Sequence, residues 1–142
     1  MKQLQKGGER VDALKILKDK KIRPSGLRLK ILEYILSHRT HPTIDEIYDA
    51  LIEDNPTLSK TTVYNTTKVL FENGVVRQLN MDGQPMRYDG EMKLHGHFCC
   101  RECNEVYDVE LLAELKTKFK GFVVEDTQVN YVGICEKCNK IN

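Results

Sequence analysis

Residues 95–108 read HGHFCCRECNEVYD and gather two histidines and three cysteines, side chains that commonly bind metal ions. A second cysteine pair, in CEKC, lies near the end of the sequence. In both CREC and CEKC the Cys-x-x-Cys spacing lets two thiolates chelate one side of an ion, and four thiolates close a tetrahedron around Zn²⁺. The sequence therefore predicts a structural zinc site with the ligands Cys100, Cys103, Cys135 and Cys138.

Other uses of these cysteines compete with zinc. A redox dithiol or an iron–sulfur cluster also uses closely spaced cysteines. A redox dithiol, however, would need only one Cys-x-x-Cys pair, and this sequence has two. The odd total of five cysteines argues against a disulfide framework. The fifth, Cys99, is compatible with an additional soft ligand, a redox-active thiol or a small buried apolar residue.

The two histidines of the same segment indicate a second group of ligands. His95 and His97 alternate along a predicted strand, so their side chains emerge on one face. Asp108 follows on the next predicted strand, within reach of that face. A surface or capping role is the simpler interpretation of any single residue of this kind, and we apply it to His38. On spacing alone, a ligand role for the histidine pair stays open.

The first half of the chain carries helical patterns that could position such a site. Apolar residues recur at helical spacing from Leu27 onward. Thr43 and Glu46 form a capping-box pattern at the start of a third helix. Ser59 can cap a fourth helix, which Gly74 ends. The predicted helices lie in RVDALKILKDKK, PSGLRLKILEYILSH, HPTIDEIYDALIE and KTTVYNTTKVLFENG.

A predicted hairpin follows the helices. VVRQLNM and QPMRYD are short extended segments around Asp82-Gly83, a two-residue turn signal. Helices followed by a hairpin outline a winged helix-turn-helix with a polar fourth helix for recognition. Residues 1–30 carry ten Lys and Arg against three Asp and Glu, which suits nucleic acid, although a solvated basic helix has the same composition. The predicted DNA-contacting residues are Arg28, Lys60, Thr61, Thr62, Tyr64, Asn65 and Lys68, with Tyr64 and Asn65 at base edges.

The rest of the chain reads as a second, smaller unit with strands in HGHFCC and EVYDVE, a short helix in LLAELKTKFK, and one or two strands in GFVVEDTQVNYVGIC. The predicted fold class is α+β: a winged-helix DNA-binding domain at 1–84, a hinge at 85–91, and a small α/β metal-binding domain at 92–142 that contains the zinc site. No apolar run approaches the roughly 20 residues that span a bilayer, and the N-terminus lacks an apolar signal core, so we expect a cytoplasmic protein.

Several motifs together resemble the ferric uptake regulator (Fur) family: HPTIDEIYDAL, LSKTTVYNTTKVL, GVVRQLNMDG, RYD, HGHFCCREC and VGICEKC. The resemblance implies a homodimeric repressor with a C-terminal dimerisation domain, which binds a regulatory metal and then a palindromic operator in double-stranded DNA. Within the family the sequence is most similar to the peroxide-sensing, PerR-type branch. The regulatory Fe²⁺ or Mn²⁺ ligands carried over by the resemblance are His41, Asp89, His95, His97 and Asp108.

Asp108 favours the peroxide-sensing branch, since iron sensors of the family tend to carry Glu there. The resemblance implies that metal-catalysed oxidation of His41 or His95 releases the metal and the DNA. Asn104 departs from the family pattern, where a glycine usually follows the second cysteine. The alternatives are an iron- or zinc-responsive repressor of metal uptake without peroxide sensing, a non-haem metalloenzyme, and a zinc-stabilised interaction module. We expect no enzyme, because the sequence offers no general base beyond the ligands.

Overall fold

Four helices followed by a two-stranded antiparallel sheet form the first part of the molecule, as the sequence predicts. The elements are α1 (Ala13–Asp19), α2 (Gly26–Ser37), α3 (Ile44–Leu51), α4 (Lys60–Glu72), β1 (Arg77–Leu79) and β2 (Arg87–Asp89). The computed structural model describes residues 12–81 and 83–141. The basic residues before position 12 and the predicted turn residue Asp82 lie outside the described residues.

The chain divides into two units, Met1–Met92 and Lys93–Asn142. Strand β2 falls within the segment 85–91 that we predicted as a hinge, and the hinge itself stays a prediction.

Each helix of the first unit begins at a polar residue whose side chain accepts a hydrogen bond from the first turn. The capping box at α3 is confirmed. Thr43 Oγ1 accepts from the Glu46 N–H at 3.1 Å, and Glu46 Oε2 accepts from the Thr43 N–H at 3.3 Å. The four capping residues are Asp12, Ser25, Thr43 and Ser59.

The core of the first unit is built on the apolar face of α2. Ile31 and Leu32 are fully buried there, and they belong to one cluster with Leu17, Ile47 and Leu70 from the other three helices. Burying each such side chain contributes about 1.5–3 kcal/mol. This cluster holds α3 and α4 as a helix-turn-helix in which the polar face of α4 stays outside.

The connection between β1 and β2 is longer than predicted. The ladder ends at the pair of Leu79 and Arg87, whereas we predicted strands that continue to a two-residue turn. The type of that turn stays a prediction. Pro85 has no N–H to donate, so it can supply no donor to a longer ladder. Met81 is buried and accepts a turn hydrogen bond from the Gln84 N–H at 3.0 Å. The helices and this hairpin together confirm a winged helix-turn-helix.

The second unit is a small α/β fold: strands β3 (Gly96–Cys100), β4 (Val106–Val109) and β5 (Val129–Gly133), then helix α5 (Glu136–Ile141). The sheet order is β4-β3-β5, with β4 antiparallel and β5 parallel to β3. The pairing of β3 with β4 places His97 opposite Asp108. After β5 the chain leads directly to the second cysteine pair.

The helix that we predicted in LLAELKTKFK is wrong: residues 111–120 are not helical. An amphipathic helix needs a surface that buries its apolar stripe. Within its own unit this segment finds none, since Leu112 is 93% and Phe119 59% exposed. In GFVVEDTQVNYVGIC only β5 forms. The short helix α5, by contrast, was not predicted.

None of the helices in the described part of the chain combines the length and the apolar character that crossing a membrane requires.

Replacing Thr43 by alanine should lower the free energy of unfolding by about 1 kcal/mol, because the α3 cap loses its acceptor. The matched control is Thr57→Ala, at an exposed loop position. Urea denaturation measures both variants. Equal stability of Thr43→Ala and wild type would show that the capping box contributes nothing.

Candidate metal centres

The four paired cysteines lie together in the second unit. Cys100 ends β3, the following turn brings Cys103 back, and β5 leads Cys135 to the same place. The four sulfur atoms all lie within 4.8 Å of one another, and Cys103 Sγ is 3.8 Å from Cys135 Sγ. Bonds of about 2.3 Å in a tetrahedral zinc site place sulfur atoms roughly 3.8 Å apart. The group therefore fits a structural zinc ion.

Backbone geometry explains why Asn104 is acceptable where the family usually has glycine. Its φ is 60°, in the left-handed region that glycine and asparagine adopt most readily. There its N–H donates to the Cys100 carbonyl oxygen at 2.8 Å and closes the turn between Cys100 and Cys103. The departure from the family pattern keeps the turn that the site needs.

Hydrogen bonds prepare one sulfur for metal. The Cys135 N–H donates to Cys100 Sγ at 3.3 Å. Backbone N–H groups of Cys103 and Cys135 lower the pKa of Cys100 to about 6, which favours the thiolate that binds metal. The pKa of Cys138 is raised to about 12, first because of its hydrogen bond with the Cys135 sulfur. Zinc binding therefore has to displace the protons of thiols such as that of Cys138.

A second group of donors in the same unit consists of His95, His97 and Asp108. Asp108 Oδ1 lies 3.1 Å from His95 Nε2 and 3.3 Å from His97 Nε2. His95 Nδ1 is 2.8 Å from the Lys93 carbonyl oxygen, and because a carbonyl only accepts, Nδ1 donates. Nε2 then faces the Asp108 carboxyl group with its lone pair, the orientation in which an imidazole binds a metal ion.

The first unit contributes a buried pair, His41 and Asp89. His41 Nε2 is 3.6 Å from Asp89 Oδ2, and the side chains are only 2% and 6% exposed. His41 has a φ of 56°, which is uncommon for a residue other than glycine. Asp89 ends β2, and the segment after His41 lies against this strand through the bridge between Thr43 and Arg87.

The donor chemistry of these two groups differs from that of the cysteines. Imidazole nitrogen and carboxylate oxygen suit Fe²⁺ or Mn²⁺, whereas thiolates suit zinc. With bonds of roughly 2.1 Å, donors at right angles lie about 3 Å apart and donors at wider angles lie further apart. The spacings of 3.1, 3.3 and 3.6 Å within the groups fit this range. The donor set therefore fits a regulatory Fe²⁺ or Mn²⁺ ion.

Cys99 does not join the cysteine group. It is 4% exposed and faces Val106 across the β3–β4 ladder. Of the three interpretations we considered, this position agrees with a small buried apolar residue.

The predicted DNA-contacting residues lie mostly on the exposed face of α4. Thr61, Tyr64, Asn65 and Lys68 are exposed there. The other three already have internal partners. Thr62 contacts the capping residue Ser59, Lys60 Nζ lies 3.1 Å from Asp45 Oδ1, and Arg28 Nη1 donates to the Arg23 carbonyl oxygen.

Sequence reasoning missed residues that support the donors. Arg87 Nη1 donates to the His41 carbonyl oxygen at 3.1 Å, and Tyr107 donates to Glu105 at 2.7 Å and also hydrogen-bonds Cys135. Arg87 lies in the RYD motif, but only the strand pairing shows which backbone it reaches. Tyr107 was one residue of a predicted strand without a role.

We expect Cys103→Ser to lose the single zinc ion per chain and to unfold the second unit at lower temperature, because one of four thiolates is missing. Cys99→Ala, a cysteine change outside the group, should keep the zinc. Metal content by mass spectrometry and melting by circular dichroism measure both. Full zinc content in Cys103→Ser would rule out this site.

Comparison with known proteins agrees with these observations. The model of the ferric uptake regulator family matches residues 19–132. The peroxide operon regulator of Bacillus subtilis (strain 168) is 33% identical over 134 residues, which cover 91% of this chain and 92% of that protein.

Two solved structures of regulators of this kind are also similar. The Campylobacter jejuni peroxide stress regulator superposes with a TM-score of 0.64 at 26% identity, covering 90% of this chain and all of that one. PerR from Streptococcus pyogenes gives a TM-score of 0.53 at 27% identity, covering 94% and 98% of the two chains. With its winged helix, its cysteine group and its histidine–carboxylate donors, the chain belongs to the ferric uptake regulator family of DNA-binding transcriptional regulators.

Proposed function

We propose that this protein is a metal-dependent transcriptional repressor that senses peroxide through oxidation of its own histidine ligands. The observation that carries the proposal is the pair of hard-donor groups, His41 with Asp89 in the DNA-binding unit and His95, His97 with Asp108 in the other. The two groups offer only two and three ligands, too few for an ion that prefers six. The similarity to named peroxide regulators supports the same assignment.

In this proposal one Fe²⁺ or Mn²⁺ ion takes ligands from both groups. Three imidazole nitrogens and two carboxylate oxygens leave room for a sixth, exchangeable ligand. An ion bound by residues of both units would fix the angle between the units. It would thereby favour the conformation that binds DNA. Metal and DNA affinity are then reciprocally coupled, by about 1–3 kcal/mol.

The peroxide response uses the chain's own imidazoles. A bound Fe²⁺ would make peroxide reactive beside these ligands, which Mn²⁺ would do far less readily. In each event peroxide is the two-electron oxidant: one of its oxygens would replace the hydrogen on a ring carbon of His41 or His95, and the other would leave with that hydrogen as water. The altered ring holds the metal less well, so the units are released and DNA affinity falls. Because each event consumes a ligand, the protein is a sensor and has no turnover.

Helix α4 is the proposed recognition element. In this proposal the exposed side chains of Tyr64 and Asn65 contact base edges, and Lys68 contacts a phosphate. Lys60 and Arg28 would contact further phosphates, for which Lys60 exchanges its ion pair with Asp45. We place this repressor in the cytoplasm, with the chromosome.

We propose that the active form is a homodimer on a palindromic operator. A dimer with two-fold symmetry presents two α4 helices to successive major grooves roughly 34 Å apart. The second unit carries apolar side chains that a second copy of the chain would cover, among them Leu112, Phe122 and Val123, which are 75–93% exposed.

The direct test measures operator binding with Fe²⁺, Mn²⁺ or Zn²⁺, with and without peroxide, on a duplex selected from a random pool by the Mn²⁺-loaded protein. Peroxide should abolish binding of the Fe²⁺ form and spare the Mn²⁺ form. Peptide mass spectrometry should then find one added oxygen on His41 or His95. Metal-dependent binding that ignores peroxide would assign an iron- or zinc-responsive repressor instead. A response confined to cysteine oxidation would refute histidine sensing.

Lys68→Ala should weaken binding to all duplexes alike and lower the slope of log affinity against log salt by about one, since one phosphate contact is lost. Asn65→Ala should instead relax specificity at one or two base pairs and leave the slope unchanged. Fluorescence anisotropy over a salt series separates them. An unchanged slope in Lys68→Ala would remove Lys68 from the interface.

A further inference from the structure

Strand β2 holds the backbone on both sides of His41. Arg87 Nη1 donates to the His41 carbonyl oxygen at 3.1 Å, and the Tyr88 N–H donates to the Pro42 carbonyl oxygen at 3.0 Å. Thr43 and Arg87 form a β-bridge. His41 is thereby kept at its φ of 56°, a conformation that persists only when the surroundings fix it. The same strand ends in Asp89, the partner of the His41 imidazole.

The guanidinium of Arg87 also reaches the start of α3. Its Nη1 lies 3.8 Å from Glu46 Oε1, while Glu46 Oε2 accepts from the Thr43 N–H in the capping box. The Arg87 side chain is only 12% exposed. One nearly buried cation therefore contacts both the peptide of a proposed metal ligand and the cap of the first helix of the helix-turn-helix.

The contacts continue from α3 to the recognition helix. Asp45, beside Glu46, accepts from Lys60 Nζ at 3.1 Å, and this ammonium lies 5.5 Å from the centre of the Tyr48 ring. Lys60 is the first residue of α4. A displacement of His41 can therefore reach α3 through Arg87. From α3 it can reach α4 through the core that Ile47 and Leu70 share, entirely within the DNA-binding unit.

We propose that Arg87 is a positioning residue that transmits metal occupancy at His41 and Asp89 to α3 and, through the apolar core that α3 and α4 share, to α4. The inference rests on the proposed function, because it assigns a route to a metal response proposed above. Arginine is suited to the role since its Nη1 carries two N–H groups and lies against both the His41 carbonyl oxygen and the Glu46 carboxylate. Lysine keeps the charge but offers one compact ammonium, so Arg87→Lys separates positioning from charge.

The test compares wild type, Arg87→Lys and the control Arg39→Lys, whose side chain lies two residues before His41 and is 75% exposed. Mn²⁺ affinity is measured without DNA. Affinity for the selected duplex is measured with and without Mn²⁺, and the ratio of the two values is the coupling factor. Arg87→Lys should reduce this factor about fivefold or more and weaken Mn²⁺ binding. Its metal-free DNA affinity should stay within about twofold, because the charge is kept. Arg39→Lys should match wild type.

Glu46→Gln provides a second test, since glutamine can keep the capping box but not the ion pair with Arg87. It should also lower the coupling factor, and its combination with Arg87→Lys should cost less than the sum of the two. A wild-type coupling factor in either single variant would overturn the route through Arg87. No effect of Mn²⁺ on the DNA affinity of wild type would instead overturn the proposed function.

Discussion

The contact between β2 and the segment that follows His41 is the constraint on which the DNA-binding unit's part of the site depends. It brings a histidine that precedes α3 and an aspartate that ends the wing to within 3.6 Å, in a place almost closed to solvent. Hydrogen bonds stabilise a buried carboxylate, as the Glu91 N–H does for Asp89 Oδ1 at 2.9 Å, and so does a positive charge from a proton or a metal ion. The stability of the His41–Asp89 pair should therefore depend on whether a metal ion is bound between them. Arg87 of β2 contacts Glu46 of α3, so the His41–Asp89 pair is also linked by contacts to the helices that would bind DNA.

Alternation along β3 separates two kinds of metal chemistry in the second unit. His97 lies opposite Asp108 in the ladder, while Cys100 ends the strand and turns to the cysteine group. A zinc ion in the cysteine group would hold the ends of the unit together. The histidines and Asp108 would then lie on a stable sheet. A structural ion would thereby support the regulatory one that we propose.

Local patterns predicted most of the fold. Thr43 with Glu46, Ser59 and Gly74 marked the helix ends correctly because capping depends on neighbours in sequence. The cysteine group followed from its spacing. The wrong helix at 111–120 and the early end of the β1–β2 ladder have a different origin. The first depends on a burial surface that the unit does not provide, and the second on a proline and a buried methionine in tertiary context. Arg87 escaped notice because its contacts span 46 residues of sequence.

The central claim is that donors of both units bind one and the same ion. Electron paramagnetic resonance of Mn²⁺, titrated into zinc-loaded wild type, His41→Ala and Asp108→Ala, tests it most directly, since free Mn²⁺ gives a signal that tight binding removes. The account predicts one tightly bound Mn²⁺ per wild-type chain and the loss of that same site in both variants. Two ions per chain, or an intact site in either variant, would contradict it.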